Sequence, residues 1–598
     1  MSLKKLLSSK EGKYFILAFL LNLLLILFIY KSVFTLEFQG DGWQYAWGHH
    51  VYYESNVFSK ESLKGMRTSL AGASLTFGLI ENNFGLNALV FYTISVILKF
   101  ISVITFYFLI KKLTNNNLAS LIGSLILSAT FAGVEATHWV FNMYAYIGLI
   151  FITLSLLIGI DLPQDYKFKK WLISFGLACV GVWYATMRTN GIIPLIIVWS
   201  FYKFLTLRSK SSKINLISWI LGFAVFIVID KFLLGQMETS YSRQYIIGEG
   251  LKAFQTQVAN NKFDFLFSSA SNLGVVILPD VTWFFFNFPK IFSFFGSGVF
   301  RSIMLPSLAI FTIISWILTA AIRRGSGISA KFLFLFCLGL VWTLVVYFIL
   351  LLGPANFSSW VALVVTLFGG YFMIICLFLL IIKETPTHLK DLCLLTFLWS
   401  FVYLLLPLFQ NGGPILGTSH RYLATTALVV PMFMAGLITL SSIYKNNLLK
   451  NLTLIIVFLM IFSHASQTKA FFDRKAMVHN REVSNKVWHQ LKKIIPNKAE
   501  YRDNPPTMFF TSADNPLDQQ TLFESLYFGL GFRMGVDYGW RPDHLNAIYN
   551  HGDYTNLVRD VKKNPKLLDE FYAVLLTNQS LTDVTKEVKE KIALDILK

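Results

Sequence analysis

The chain has 598 residues, of which 55% are hydrophobic and 14% charged, with 57 phenylalanines and a net charge of +19. Soluble domains carry about 25% charged residues. A mean hydropathy of +0.57 therefore excludes a water-soluble globule, which would expose large apolar patches, and also disorder, a collagen-like repeat or a disulfide scaffold. What remains is a polytopic membrane protein with some water-facing mass. Most basic residues flank apolar runs, so membrane topology explains the charge, and no basic helix with base-reading side chains points to nucleic acid. Cys179, Cys337, Cys376 and Cys393 all lie in apolar segments without metal-ligand spacing and read as small core hydrophobes.

Runs of about 20 apolar residues span the hydrocarbon core as helices. The first extends from about Tyr14 to Phe34 behind Lys4, Lys5, Lys10 and Lys13, and is expected to be an uncleaved anchor with a cytoplasmic N-terminus. An outer loop over residues 35–83 follows. The next span, about Phe84–Ile110, ends at Lys111 and Lys112 on the inner side. A hairpin at about Leu118–Thr137 and Val140–Ile160 returns to the basic Asp165–Trp171 segment. A shorter pair, about Trp171–Met187 and Gly191–Leu205, breaks outside at Arg188-Thr189-Asn190. A span at about Ile214–Leu234 leads to a long outer loop over residues 235–290. Further spans are expected near Gly298–Ile322, Lys331–Leu352, Trp360–Ile382, Leu392–Phe409, Tyr422–Tyr444 and Leu452–Ser463, which gives thirteen. Charge alternation then places Arg323-Arg324, Lys383 with Lys390, and Lys445 with Lys450 inside, and the region from Ser466 outside.

That last region changes character. An amphipathic helix near Arg474–Ile494, a strand at Pro506–Ser512, a helix near Gln519–Gly529 and a strand at Phe571–Asn578 suggest a small α/β domain. The expected division is a membrane domain over residues 1–465 and an extracytoplasmic domain over residues 466–598. No phosphate-cradling glycine loop precedes its helices, so no organic cofactor is assigned.

Polar groups that a membrane composition should exclude carry the functional signal. Leu36–Ser55 (LEFQGDGWQYAWGHHVYYES) holds Asp41 between two glycines, followed by Trp43, Tyr45, Trp47, His49 and His50. A carboxylate there can take a proton from an attacking hydroxyl, and the aromatics can face a sugar ring. The competing reading is an interfacial aromatic belt with a solvated Asp in a turn. Gly133–Asn142 (GVEATHWVFN) places Glu135 and His138 one helical turn apart, a spacing compatible with a divalent metal ion if Asp41 adds a ligand, with Trp139 beside them. Arg188, and Arg421 with His420, sit at outer span ends, where guanidinium forks suit phosphate oxygens; snorkelling to ordinary headgroups is the alternative. The 235–290 loop, with Trp283-Phe284-Phe285-Phe286, suggests partial insertion at the interface, gating a lipid groove.

An outer first loop with an Asp, two hairpins, a short pair with a basic break, the Arg421–Ala424 motif RYLA and a C-terminal extracytoplasmic domain resemble the GT-C glycosyltransferases. Within them the arrangement is most similar to relatives of the protein O-mannosyltransferases and the lipid A aminoarabinose transferase. The first loop differs in carrying a single Asp rather than an acidic pair. The resemblance implies transfer of a sugar from a polyprenyl-phosphate donor to an acceptor hydroxyl on a protein, lipid or glycan, at the outer face of the cell membrane. It implies Asp41 as catalytic base, Glu135 at the second acidic motif, and Arg188 and Arg421 on the donor phosphate; His420 beside Arg421 is expected to join them, and Trp43, Tyr45 and Trp139 to stack on the sugar or acceptor. Two other classes stay open: a lipid-linked glycan transporter or flippase, which mid-span positions almost free of charge disfavour, and a membrane-anchored binding or assembly protein acting through its C-terminal domain.

Overall fold

A computed structural model describes residues 9–49, 71–185, 191–230, 268–296, 298–322, 328–352, 359–404, 423–540 and 548–597, with a few single positions between them. It is mainly helical, with one small sheet near the C-terminus. Among the described residues nine helices are long and apolar enough to cross a membrane, or ten if one bent pair is a single span. The four other expected spans correspond to Asn117–Ala129, Phe168–Tyr184, Ile192–Leu207 and Thr387–Leu404, which are shorter or more polar. At 13 residues, Asn117–Ala129 is about 20 Å long, well short of a hydrocarbon core of about 30 Å. The outward faces are what lipid requires: Phe285 is 85% exposed and Phe458 69%.

Asparagines punctuate the helices. The Ala88–Thr114 helix stops at Asn115, in the left-handed region at φ 50°, and Asn116 then caps the next helix by accepting from the Leu118 and Ala119 amides. Basic ends gather at one end of the bundle: Lys111 pairs with Glu11 (3.0 Å), Lys112 with Asp161 (2.6 Å) and Lys331 with Glu384 (2.6 Å). In the interior, Asn22 donates to the Ser124 hydroxyl (2.9 Å) and accepts from Ser128 (2.6 Å). Lys203 and Asp391 form a buried ion pair at 2.8 Å.

The bent pair is Ala270–Ile277 and Asp280–Phe295, broken by 76°. Its first arm crosses the Trp360–Ile381 helix with almost no space between backbones. A Cβ on Gly274 would lie 2.0 Å from the Val365 carbonyl oxygen, and one on Gly369 would lie 1.8 Å from that of Ala270. The Ser271 and Thr366 hydroxyls bond across the crossing at 2.5 Å. Small residues with hydroxyl partners are how helices associate where lipid removes the hydrophobic drive.

One expectation is corrected at the end of the membrane part. Hydropathy ends near Ser463, yet one helix runs unbroken from Asn447 to His479. Its 33 residues extend about 50 Å, so it leaves the membrane and enters the C-terminal unit. The expected division between residues 465 and 466 thus falls inside a helix, and the expected helix at Arg474–Ile494 is two helices. The break is at Asn480, whose side chain accepts from the Val483 amide and starts Arg481–Ile494.

The C-terminal sheet has strands β1 (Thr507–Ser512), β2 (Ile548–Asn550), β3 (Phe571–Thr577) and β4 (Ser580–Asp583), in the order β2-β1-β3-β4. β1 is parallel to both neighbours, and β4 returns antiparallel to β3. Their two-residue turn holds Asn578 and Gln579 at φ 50° and 55°, as a type I′ turn needs. The Asp518 carboxylate accepts from both turn amides, at 2.9 and 3.1 Å. Burial alone would raise that carboxyl; its hydrogen bonds to Asn515 and the turn outweigh burial and hold it below the ordinary value.

The glycine crossing yields a test. Gly369→Val should cost about 1–3 kcal/mol or more, read as a lower thermal midpoint and poorer yield in detergent. Gly176→Ala, where an added Cβ meets nothing within 4 Å, should leave both unchanged.

Candidate functional site

The first outer loop is clamped from both sides. Leu36 pairs with Asn480 in an isolated antiparallel bridge, and the Glu37 amide donates to the His479 carbonyl at 3.2 Å. Arg481 donates to the Phe34 carbonyl at 2.7 Å. The Tyr92 hydroxyl lies 3.0 Å from the carbonyl oxygens of both Glu37 and His138, tying the first outer loop to the second. Gly40 has φ 48°, its amide donates to the Phe528 carbonyl at 3.3 Å, and a Cβ there would sit 2.0 Å from the Phe528 ring. Only glycine combines that backbone with that approach.

Asp41 begins the short Asp41–Trp47 helix and is half-buried. Its neighbours in the loop divide. Trp43 is buried and flanked by Phe38, edge-on at 5.4 Å, and by the Arg533 guanidinium, 4.4 Å from its ring. The same guanidinium lies 4.4 Å from the Trp488 ring and donates to Ser484 (3.0 Å) and Asn485 (3.3 Å). Trp43 therefore serves as one wall of a cation sandwich, which leaves little of it for the expected sugar contact. Burial lowers the Arg533 pKa to about 10, against the pull of Glu37 and Asp537. Glu37 is pushed up from the ordinary carboxylate value by burial, with Arg533 and Arg481 opposing.

Tyr45 and Trp139 remain half-buried and belong to one aromatic row. Tyr45 stacks on Phe141 at 4.9 Å, Trp139 lies 6.1 Å from Phe141 and 5.6 Å from Phe528, and Phe528 stacks on Phe523 at 5.4 Å. Of the expected site residues, Trp139 thus meets Phe528 of the C-terminal unit directly, Tyr45 is linked to it through Phe141, and Asp41 follows Gly40, which packs on the Phe528 ring. His49 adds a buried pair with Glu81 of the Ala71–Phe84 helix.

The loop that carries Glu135 and His138 is folded into the protein. Residues 131–138 are all buried. Gly133, at φ 82°, has its Cα against Ala424, where a Cβ would come within 2.4 Å of the Ala424 Cα. The end of the RYLA motif is thereby seated on the Glu135 loop. His464 seals the assembly: its Nδ1 accepts from the Phe131 amide (3.1 Å), so Nε2 carries the hydrogen and donates to the Ile277 carbonyl (3.2 Å). Arg188, His420, Arg421 and His50 lie outside the described residues.

Glu135 and His138 are both buried, and among the described residues no three His, Cys, Asp or Glu side chains come together to hold a metal ion. The charges that bear on His138 are Lys475 and His479, which with burial keep its pKa well below the ordinary value. With no third ligand among the described residues, the metal reading is not carried further. Neither ring nitrogen of His138 has a hydrogen-bond partner among the described residues, although the residue is 1% exposed, its ring edge-on to Phe471 at 5.2 Å.

Sequence reasoning overlooked Lys99. It is the twelfth residue of the 27-residue Ala88–Thr114 helix, buried, with its ammonium 5.5 Å from the centre of the Tyr146 ring. Tyr146 in turn bonds Thr137 of the second outer loop at 2.7 Å. A lone Lys inside a long apolar run was the available signal, and it corrects the expectation that mid-span positions are almost uncharged. No protein-family model matches the chain, and no curated protein is significantly similar to it.

A buried imidazole without partners costs stability and is retained where it serves a ligand. His138→Leu should raise the thermal midpoint in detergent while lowering whatever activity the site supports. A lower midpoint would mark His138 as part of the packing instead.

Proposed function

We propose that this protein is an integral-membrane glycosyltransferase that moves a sugar from a polyprenyl-phosphate donor to an acceptor hydroxyl at the extracytoplasmic face. The observation that carries the reading is the placement of Asp41, half-buried at the start of the short helix that carries Tyr45, with Gly40 before it packed on Phe528 and an aromatic row running from Tyr45 through Phe141 and Trp139 to Phe528 where the C-terminal unit docks. Asp41 accepts the proton of the acceptor hydroxyl as its oxygen attacks the anomeric carbon. The bond from that carbon to phosphate breaks, and polyprenyl phosphate leaves with the electron pair. The aromatic row gives the sugar a face to lie against. Arg188, Arg421 and His420 take the phosphate, and Lys99 beneath the second outer loop adds charge from below. In this reading the chain crosses the cell membrane thirteen times, with its N-terminus in the cytoplasm and residues after His479 outside.

Buried charge also favours one alternative. Lys99 and the Lys203–Asp391 pair lie within the helical bundle, which is where a lipid-linked glycan transporter keeps its working groups.

Reconstituted protein given a radiolabelled polyprenyl-phosphate sugar and a mixed acceptor pool separates the two. Transfer to acceptor should fall about 10²- to 10⁴-fold in Asp41→Asn, with thermal stability retained. Movement of donor across the bilayer without transfer, insensitive to Asp41→Asn, would support transport and sink the transferase reading.

A further inference from the structure

The C-terminal unit holds a cleft of about 550 Å³ that the Asp41 site does not use. Its floor follows from the sheet. β1 and β2 are parallel, so their carboxyl ends open on the same edge, and there Ser512 and Asp514 come from one strand end and Asn550 and His551 from the other. Ligands of open α/β sheets bind in the crevice beyond these ends. Gln519 and Phe523, from the segment after β1, complete the wall.

The lining selects a chemistry. It carries two hydroxyls, a carboxylate, two amides and an imidazole, with no Lys or Arg among the described residues. The Gln519 amide donates to Asp514 at 3.3 Å, and Asn550 accepts from the Gly552 amide at 2.8 Å, so these planar groups are held in place. His551 uses Nδ1 toward the Thr511 hydroxyl at 3.2 Å, which leaves Nε2 for a ligand. Phe523 is 49% exposed although one face is stacked on Phe528, its ring tilted by only 8°.

Anions are disfavoured here. The helix Pro516–Leu522 starts where a nucleotide-binding sheet would receive a phosphate, but Asn515 already caps it through the Asp518 amide. Pro516 has no N–H to give, and Asp514 and Asp518 add negative charge. Apolar ligands would strand six polar side chains. We infer that the cleft is a saccharide-binding site, holding a neutral sugar of one or two rings through the polar side chains of Asp514, Gln519, Asn550 and His551 and the ring of Phe523. Planar side chains that both donate and accept match adjacent sugar hydroxyls, and an exposed ring matches the apolar face of a pyranose. The cleft stands on its own lining and does not depend on Asp41 chemistry.

The test uses the full chain in a detergent without a sugar headgroup. Ligand-observed saturation-transfer NMR is run with methyl glycosides of glucose, mannose, galactose and N-acetylglucosamine, with their disaccharides, and with inorganic phosphate and AMP as anionic competitors. At least one saccharide should bind. Gln519→Ala and His551→Ala, both at exposed positions, should each weaken it about fivefold or more without moving the thermal midpoint. Asp41→Asn should bind it unchanged, which separates this site from the proposed catalytic one. Absence of binding across the panel, affinity unaltered in both cleft variants, loss of binding in Asp41→Asn, or displacement by phosphate or AMP would each overturn the assignment.

Discussion

A guanidinium between two indoles holds the loop after the first helix against the C-terminal unit. Arg533 is 6% exposed, 4.4 Å from both the Trp43 and the Trp488 rings, and hydrogen-bonded to Ser484 and Asn485. Desolvating an arginine costs several kcal/mol. Two desolvated cation–π contacts at about 2 kcal/mol each, with charge-assisted hydrogen bonds, offset that cost only while both walls are in place. Trp43 belongs to the first outer loop, whereas Trp488 and Arg533 belong to the C-terminal unit. The interaction is therefore satisfied only when the two parts are docked. Within the C-terminal unit the guanidinium also has Ser484, Asn485 and the Asp537 carboxylate at 3.8 Å, so Trp43 is the wall that clamps it to the loop after the first helix.

Everything proposed for the site is downstream of that clamp. The loop that Trp43 anchors also carries Gly40, whose left-handed backbone presses on Phe528, and Asp41 follows immediately. The aromatic row from Tyr45 through Phe141 and Trp139 to Phe528 crosses from the membrane part to the C-terminal unit. The proposed site is thus composite: neither the bundle nor the C-terminal unit contains it alone. Phe523 links this row to the cleft beyond β1 and β2, so two recognition surfaces share one stack of rings.

The bundle and the α/β character of the C-terminus were legible because apolar run length and strand periodicity are local properties. Helix ends were less so: Asn480 breaks what reads as one amphipathic helix over Arg474–Ile494. Long-range partners were not. Trp43 reads as a sugar platform until Arg533, distant in sequence, occupies its face. Glu135 and His138 read as a pair spaced for a metal ion, yet the Gly133–Ala424 contact buries their loop and no third ligand joins them among the described residues. Hydropathy stops at Ser463 although nothing breaks the helix before His479. β2 has three residues, and the β3–β4 turn uses Asn-Gln without glycine, so neither gives a periodic signal.

Hydrogen exchange of the backbone amides over residues 36–47 tests the clamp most directly, comparing wild type with Arg533→Met in detergent. If docking orders the Asp41 loop, these amides should exchange at least tenfold faster in the variant, while those of the Ala88–Thr114 helix keep their protection. Equal protection of residues 36–47 in both proteins would contradict it.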